Sequence, residues 1–222
     1  IQLGAILAVC VIYFHKLNPF SPKKSAKEKR ETVDIWGKVI VGCLPAAVIG
    51  LAFNDKIDAL FYNAPTVAFT LILYGILFII VENYNKHREP QVRELSDLTY
   101  KIAVIIGCFQ VLSVIPGTSR SGSTIIGGIL VGTSRTVAAE FTFFLAIPVM
   151  FGASLLKVVK FGLDFSGMEM ACLLTGTVVS FIVSVFVLRF LMGYIKKHDF
   201  KVFGWYRIVL GLLVLLYFGV FA

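Results

Sequence analysis

Arg120 stands in the run PGTSRSGSTIIGG, residues 116–128, among the hydroxyls of Thr118, Ser119, Ser121, Ser123 and Thr124. A guanidinium is a permanently charged planar fork that matches phosphate oxygens. Pro116 and Gly117 break whatever helix precedes them, and Thr118, Ser119 and Ser121 are good N-cap residues for a helix that follows. A helix N-terminus offers unpaired N–H groups and a partial positive charge, which makes it an anion site. Types and spacing together predict a phosphate-like ligand, with Arg120, Ser119 and Ser121 nearest the chemistry and Gly117 and Thr118 in the binding turn. A serine nucleophile here has no visible base: between 107 and 140 there is no histidine, and Glu140 is the lone carboxylate. Glu140 is expected to pair structurally with Arg120 or Arg135. Gln110 either hydrogen-bonds the loop or ligand, or packs as an ordinary helix amide.

Two familiar phosphate motifs fit poorly. GTSRSGST matches G-x-x-x-x-G-x-T, but Ser123 occupies the lysine position of a P-loop and no buried strand precedes it. A type 2 phosphatidic acid phosphatase would follow its Ser-Arg pair with His and Asp. Neither Ser119-Arg120 nor Ser134-Arg135 has that histidine, and His15, His87 and His198 lie in or beside basic loops.

The elements that must position Arg120 are set by the solvent. Of 222 residues, 58% are hydrophobic and 15% charged, mean hydropathy is +0.86, and a soluble domain would carry about a quarter charged. This composition predicts an integral membrane protein. Apolar runs at 1–14, 35–53, 66–82, 136–159, 169–191 and 204–221 predict spans, most of them near the roughly 20 residues a bilayer core requires. The chain starts at Ile1, inside the first run, and is expected to be a fragment; no charged n-region precedes that run, so it does not read as a signal peptide. Cys10, Cys43, Cys108 and Cys172 sit in apolar segments without metal or disulfide spacing. The net charge of +8 lies mainly in short loops, a pattern of membrane orientation rather than of nucleic-acid binding.

Those loops set the topology. Lys16, Lys23, Lys24, Lys27, Lys29 and Arg30 fall in 15–34, Lys86, Arg88, Arg93 and Lys101 in 83–101, and Arg189, Lys196, Lys197 and Lys201 in 189–203. The positive-inside rule makes all three cytoplasmic, with 54–65 and 157–168 outside. Segment 99–133 must then leave and return to one face. Its short, glycine-thinned arms predict a re-entrant hairpin with the Arg120 motif at its tip; two full crossings are the alternative. The fold class is thus an all-α polytopic membrane protein with six spans in one membrane domain. Spans 1–82 and the segment 99–222, hairpin included, read as inverted-topology repeats.

GCFQVLSVIPGTSRSGSTIIGGILVGTSRTVAAEFTFFLAIPVM (107–150), IQLGAILAV at the start and YRIVLG at 206–211 resemble the bacterial undecaprenyl-diphosphate phosphatase family associated with bacitracin resistance. The resemblance spans essentially the whole chain. It implies removal of the terminal phosphate from undecaprenyl diphosphate, a membrane lipid, yielding the monophosphate carrier for peptidoglycan synthesis in the bacterial cell membrane. It also implies a cavity open to the outer face and a divalent cation, magnesium or calcium. By position, Ser119, Arg120, Ser121 and Thr124 match the family's phosphate-binding signature, and Arg207 matches a C-terminal arginine implicated there. The family's other signature, a Glu-rich helix followed by Pro-x-Ser-Ser and a histidine, is not found in these residues and is expected before Ile1. It carries the usual metal ligands, nucleophile and acid or base, so residues 1–222 alone are expected to be inactive. Partners follow as the bilayer and the lipid diphosphate, not nucleic acid; a homodimer is left open. The rival classes are a secondary transporter of an anionic or lipid-phosphate substrate, which uses the same broken-helix architecture, and a lipid-binding scaffold without chemistry.

Overall fold

The computed structural model describes residues 1–161 and 166–221. In chain order the helices are α1 (Gln2–Ile12), α2 (Phe14–Leu17), α3 (Ala26–Phe61), α4 (Ala64–Asn85), α5 (Tyr100–Val111), α6 (Arg120–Leu130), α7 (Arg135–Phe161), α8 (Gly167–Ile195) and α9 (Lys201–Phe221), with single 3-10 turns at Leu95–Asp97 and Leu112–Val114. Among the described residues, five helices are long and apolar enough to cross a membrane: Ala26–Phe53, Ala64–Asn85, Arg135–Val159, Gly167–Ile195 and Lys201–Gly219. The polytopic all-α class therefore holds. In the first expected run, α1 covers 11 residues, about 16 Å of helix. The 157–168 connection, with Asp164, lies partly outside the described residues.

Capping moves some helix ends away from the apolar runs. Ser25 and Glu28 reciprocate, the Ser25 N–H donating to Glu28 Oε2 and the Glu28 N–H to Ser25 Oγ, so α3 begins well before the apolar stretch at residue 35. Asn63 caps α4 by accepting from the Thr66 N–H, with proline in the first turn. Thr99 caps α5 through the Ile102 N–H.

The chain forms two compact units, Ile1–Ile40 with Phe143–Tyr194 and Val41–Thr142 with Ile195–Ala222, and the divisions fall within α3 and α7. In the first unit, Tyr13 meets Phe144 edge-on at 5.2 Å between centroids, and Trp36 Nε1 donates to the Leu17 carbonyl at 2.9 Å. Gly4 lets α1 lie directly on Thr177 and Ser180 of α8. In the second unit, α4 and α9 pack antiparallel through small residues: Gly75 faces the Gly204 carbonyl and Ile208, while Gly211 faces the Ala68 carbonyl and Ile72. Such close backbone approach is how membrane helices gain contact without a hydrophobic drive between them.

The hairpin belongs wholly to this second unit. α5 and α6 have 12 and 11 residues, each about 16–18 Å long, little more than half the hydrocarbon core. Its two ends are tied together at the base. The Gln91 and Val92 N–H groups donate to the Gly132 carbonyl, and the Ser134 N–H donates to the Val92 carbonyl at 2.9 Å. A segment pinned to itself at residues 92 and 132–134 has its two ends together, and arms this short fall well below the length of two full crossings. Phe109 of α5 occupies the space a side chain at Gly127 would need, so the arms are in close contact.

Candidate phosphate site at the hairpin tip

Ser119 begins the site. It is the N-cap of α6, in extended backbone, and its Oγ accepts from the Gly122 N–H at 3.1 Å. Its hydroxyl also lies 3.1 Å from Ser121 Oγ. Arg120 and Ser121 are thus the first residues inside the helix, where no earlier carbonyl in the helix can reach their N–H groups. Ser123 Oγ and Thr124 Oγ1 each donate to the Arg120 carbonyl at 3.0 Å. Thr142 Oγ1 of α7 donates to Thr124 Oγ1 at 2.9 Å. The arginine's own backbone is therefore held from below by a chain of hydroxyls, while the Arg120 and Ser121 N–H groups remain for a ligand.

The turn ahead of Ser119 is fixed by α4. Gly117 has φ +83°, and a Cβ there would meet Thr70 Oγ1 and the Val67 backbone. Glycine is required on both counts. Thr70 Oγ1 donates to the Pro116 carbonyl at 2.8 Å, and the Thr118 N–H donates to the Ile115 carbonyl at 3.1 Å.

Several buried polar atoms around the tip have no hydrogen-bond partner: Arg120 Nη1, Arg207 Nη1, Thr118 Oγ1 and both amide atoms of Gln110. Leaving such groups unpaired costs about 1–3 kcal/mol each, more for charged ones. Gln110 is 2% exposed and lies one turn nearer the tip than Gly107, which abuts the Gly42 backbone of α3. The Arg120 guanidinium is within electrostatic reach of Cys43, the next residue of α3. Arg207 comes from α9 and is within electrostatic reach of Tyr74 and Tyr206. Two guanidiniums, an amide N–H group, hydroxyls and a helix N-terminus are thus available as donors to an anion.

The chemistry of that donor set does not fit a divalent cation. Magnesium and calcium take carboxylate and carbonyl oxygens, whereas this site gathers positive charge, and among the described residues no group of three His, Cys, Asp or Glu side chains could hold an ion. No catalytic step is routed through a metal here.

The expected residues divide. Gly117, Thr118, Ser119, Arg120 and Ser121 form the tip, and Gln110 and Arg207 carry unpartnered polar atoms beside it. Thr124 is 1% exposed, and its hydroxyl is engaged with Arg120, Ser121 and Thr142; it supports the loop from behind. Among the described residues no hydrogen bond joins Ser119 or Ser121 to a histidine or carboxylate. The pairing of Arg135 is a correction: its guanidinium holds Glu82 of α4, with Nε at 3.0 Å from both carboxylate oxygens and Nη2 on Oε2. Glu82 also accepts from the Phe200 N–H at 3.2 Å. Thr70, Tyr74, Glu82 and Thr142 escape a motif-based reading. Their signal is the position of polar side chains inside apolar spans, which carry a cost unless they are used.

Comparison with known proteins places this geometry. The sequence model of a family described as bacitracin resistance protein BacA matches residues 1–213. An undecaprenyl-diphosphatase of Desulfitobacterium hafniense is 63% identical over 220 residues, covering 99% of this chain and 79% of that protein. The undecaprenyl-diphosphatase of Enterococcus faecalis is 59% identical, covering 98% and 80%, and undecaprenyl-diphosphatase 1 of Clostridium acetobutylicum is 58% identical with the same coverage. With a match over nearly its whole length, and the hairpin tip built as an anion site, the chain belongs to the BacA bacitracin-resistance family.

Proposed function

We infer that this protein is an undecaprenyl-diphosphate phosphatase, a multi-pass enzyme of the bacterial cell membrane. It cleaves the terminal phosphoanhydride of undecaprenyl diphosphate and regenerates the monophosphate lipid carrier for peptidoglycan synthesis. The observation that carries the reading is the half-buried α6 N-terminus capped by Ser119, with a buried, unpartnered Nη1 on Arg120 in its first turn and another on Arg207.

The depth of the tip supports the same reading. α4 starts at its outer end by the positive-inside rule, and the tip is braced at Val67 and Thr70, about 9 Å of helix from Ala64. The anion site therefore lies in the outer half of the bilayer, where a lipid diphosphate in the outer leaflet presents its headgroup.

In hydrolysis the terminal phosphorus–oxygen bond to the bridging oxygen breaks, an oxygen from water ends on the released phosphate, and the prenyl monophosphate leaves. Charge on the equatorial oxygens must be matched throughout. Arg120 and the first-turn N–H groups bind those oxygens and are already oriented before the substrate arrives, so they need little reorganisation at the moment of reaction. Ser119 shapes the turn as its cap, Ser121 offers a hydroxyl to the same phosphoryl group, and Gln110 offers a donor and an acceptor alongside. Gly117 and Thr118 set the path of the turn, and Thr124 acts through the Arg120 carbonyl. A magnesium or calcium ion remains part of the proposal on the resemblance alone, with no step assigned to it.

The test is phosphate release from undecaprenyl diphosphate by the protein purified at its natural length. Turnover that collapses in Arg120→Ala while the melting curve is kept supports the assignment. Counterflow of a labelled lipid phosphate across proteoliposomes without hydrolysis would replace it with transport.

A further inference from the structure

The part of α3 that lies in the first unit has two faces. Toward the protein it buries Thr32, Lys38 and Val39, and Trp36 Nε1 donates to the Leu17 carbonyl at 2.9 Å. The other face shows Val33 and Ile40, 59% and 57% exposed, at a spacing of two helical turns. Apolar side chains turned outward on a membrane helix meet acyl chains. Lys29 and Arg30 stand four and three residues before Val33, the spacings that put side chains on one helix face. Their Cα–Cβ bonds tilt toward the helix N-terminus, away from the apolar run. The lipid-facing stripe therefore ends in two cations.

Their depth follows from the cap. Ser25 and Glu28 start α3 at Ala26, so Lys29 and Arg30 are helical and precede the apolar run at residue 35 by about 8 Å. The headgroup layer on each side of the hydrocarbon core is roughly 5–8 Å thick. The local carboxylates are engaged elsewhere: Glu28 accepts from the Ser25 N–H, Glu31 lies 3.9 Å from Lys27, and Asp34 holds Lys38. Lys24 Nζ donates to the Lys16 carbonyl and Thr32 Oγ1. Among the described residues, no ion pair or hydrogen bond engages the side chain of Lys29 or Arg30. Phe20 is 86% exposed and follows Leu17, whose carbonyl Trp36 holds, by three residues. Aromatic side chains are favoured in this same interfacial layer.

We propose that Lys29 and Arg30 form a headgroup site for an anionic phospholipid of the cytoplasmic leaflet, with its acyl chains along Val33 and Ile40 and Phe20 as an interfacial anchor. The guanidinium matches the phosphate oxygens as a fork, and the ammonium adds a second positive charge. A zwitterionic lipid brings its own cation and gains less from the pair. The site belongs to the first unit and does not depend on the phosphatase reading.

The test places the natural-length protein in nanodiscs of phosphatidylcholine, with and without phosphatidylglycerol, and reads the melting temperature. The unaltered protein should melt higher in the mixed discs, and the gain should shrink as salt is raised. Lys29→Gln with Arg30→Gln should raise the phosphatidylglycerol fraction needed for half the gain by on the order of tenfold, since a basic residue at an anionic surface is worth about fivefold. Lys29→Arg with Arg30→Lys keeps both charges and should keep most of the gain. Lys196→Gln with Lys197→Gln removes the same charge from another exposed basic loop and should leave the response unchanged. An equal loss in both neutralised pairs overturns the site in favour of diffuse surface charge. So does a loss that tracks a lowered melting temperature in phosphatidylcholine alone, which assigns the two residues to folding. An equal gain from inorganic phosphate in phosphatidylcholine discs, or no gain from phosphatidylglycerol in the unaltered protein, removes the lipid as the ligand.

Discussion

Arg120 owes its position to groups on its own backbone as much as to its charge. Its carbonyl accepts from Ser123 and Thr124, and Thr124 is itself held by Thr142. Two substitutions separate the charge from the support. Arg120→Lys keeps the charge but loses the planar fork, so kcat/KM should fall by well over tenfold, at about 1.4 kcal/mol per decade, with folded protein retained. Arg120→Ala should cost about 10² to 10³ in rate, as removal of an oxyanion-type donor commonly does. A silent Arg120→Lys combined with an unstable Arg120→Ala would make the arginine a structural member instead. Thr124→Val keeps the shape but leaves Thr142 Oγ1 without its acceptor, a penalty of about 1–3 kcal/mol. It should lower Tm and reduce kcat more than it raises KM, and Thr124→Ser should restore both; equal activity in Thr124→Val would remove the hydroxyl chain from the positioning of Arg120.

At the scale of elements, the hairpin is held at its tip by α4 and at its base by itself. Gly117→Ala places a side chain at φ +83° against Thr70 and Val67. The left-handed backbone alone costs an ordinary residue about 1–2 kcal/mol, so the variant should lose both stability and turnover, read by melting and by phosphate release. Near the base, Glu82 is 1% exposed and the Arg135 side chain 35%. Glu82→Gln strands the guanidinium only partly, and a destabilisation of about 1–2 kcal/mol is expected, below the range for a fully buried pair. Glu82→Gln with Arg135→Gln should recover part of it. This pair also shows what the sequence could not display. The tip was legible because Pro116, Gly117 and the capping hydroxyls stand together in a run of otherwise apolar residues. The sequence offers Glu140 to either Arg120 or Arg135, whereas the partner of Arg135 lies 53 residues back. Thr70 reaches Pro116 across 46 residues. Periodicity and capping report on neighbours within a turn or two; which face of α4 meets the hairpin depends on contacts such as Gly75 on Gly204, which no local pattern encodes.

For the whole molecule, five long apolar helices among the described residues, with a hairpin whose ends meet at Val92 and Ser134, predict which loops share a face. A membrane-impermeant maleimide added outside should label Tyr62→Cys, which is exposed between α3 and α4, and fail at Lys24→Cys, Arg88→Cys and Lys197→Cys. Labelling of Lys197→Cys from outside would require an odd number of crossings between 99 and 135 and would remove the re-entrant hairpin. The pairing of α4 with α9 also carries a consequence for biogenesis. A ribosome completes α4 long before it reaches Lys201, and until α9 is made the small-residue face at Ala68 and Gly75 has only lipid against it. Neither arm of the hairpin is long enough to be stitched into the membrane as an independent crossing. The nascent hairpin can lodge against Thr70 and Tyr74 early, but Arg207 arrives only with the final helix. The anion site is therefore the last part of the protein to be finished, and a chain arrested before α9 would present an incomplete pocket and an uncovered α4 to the membrane's quality-control proteases.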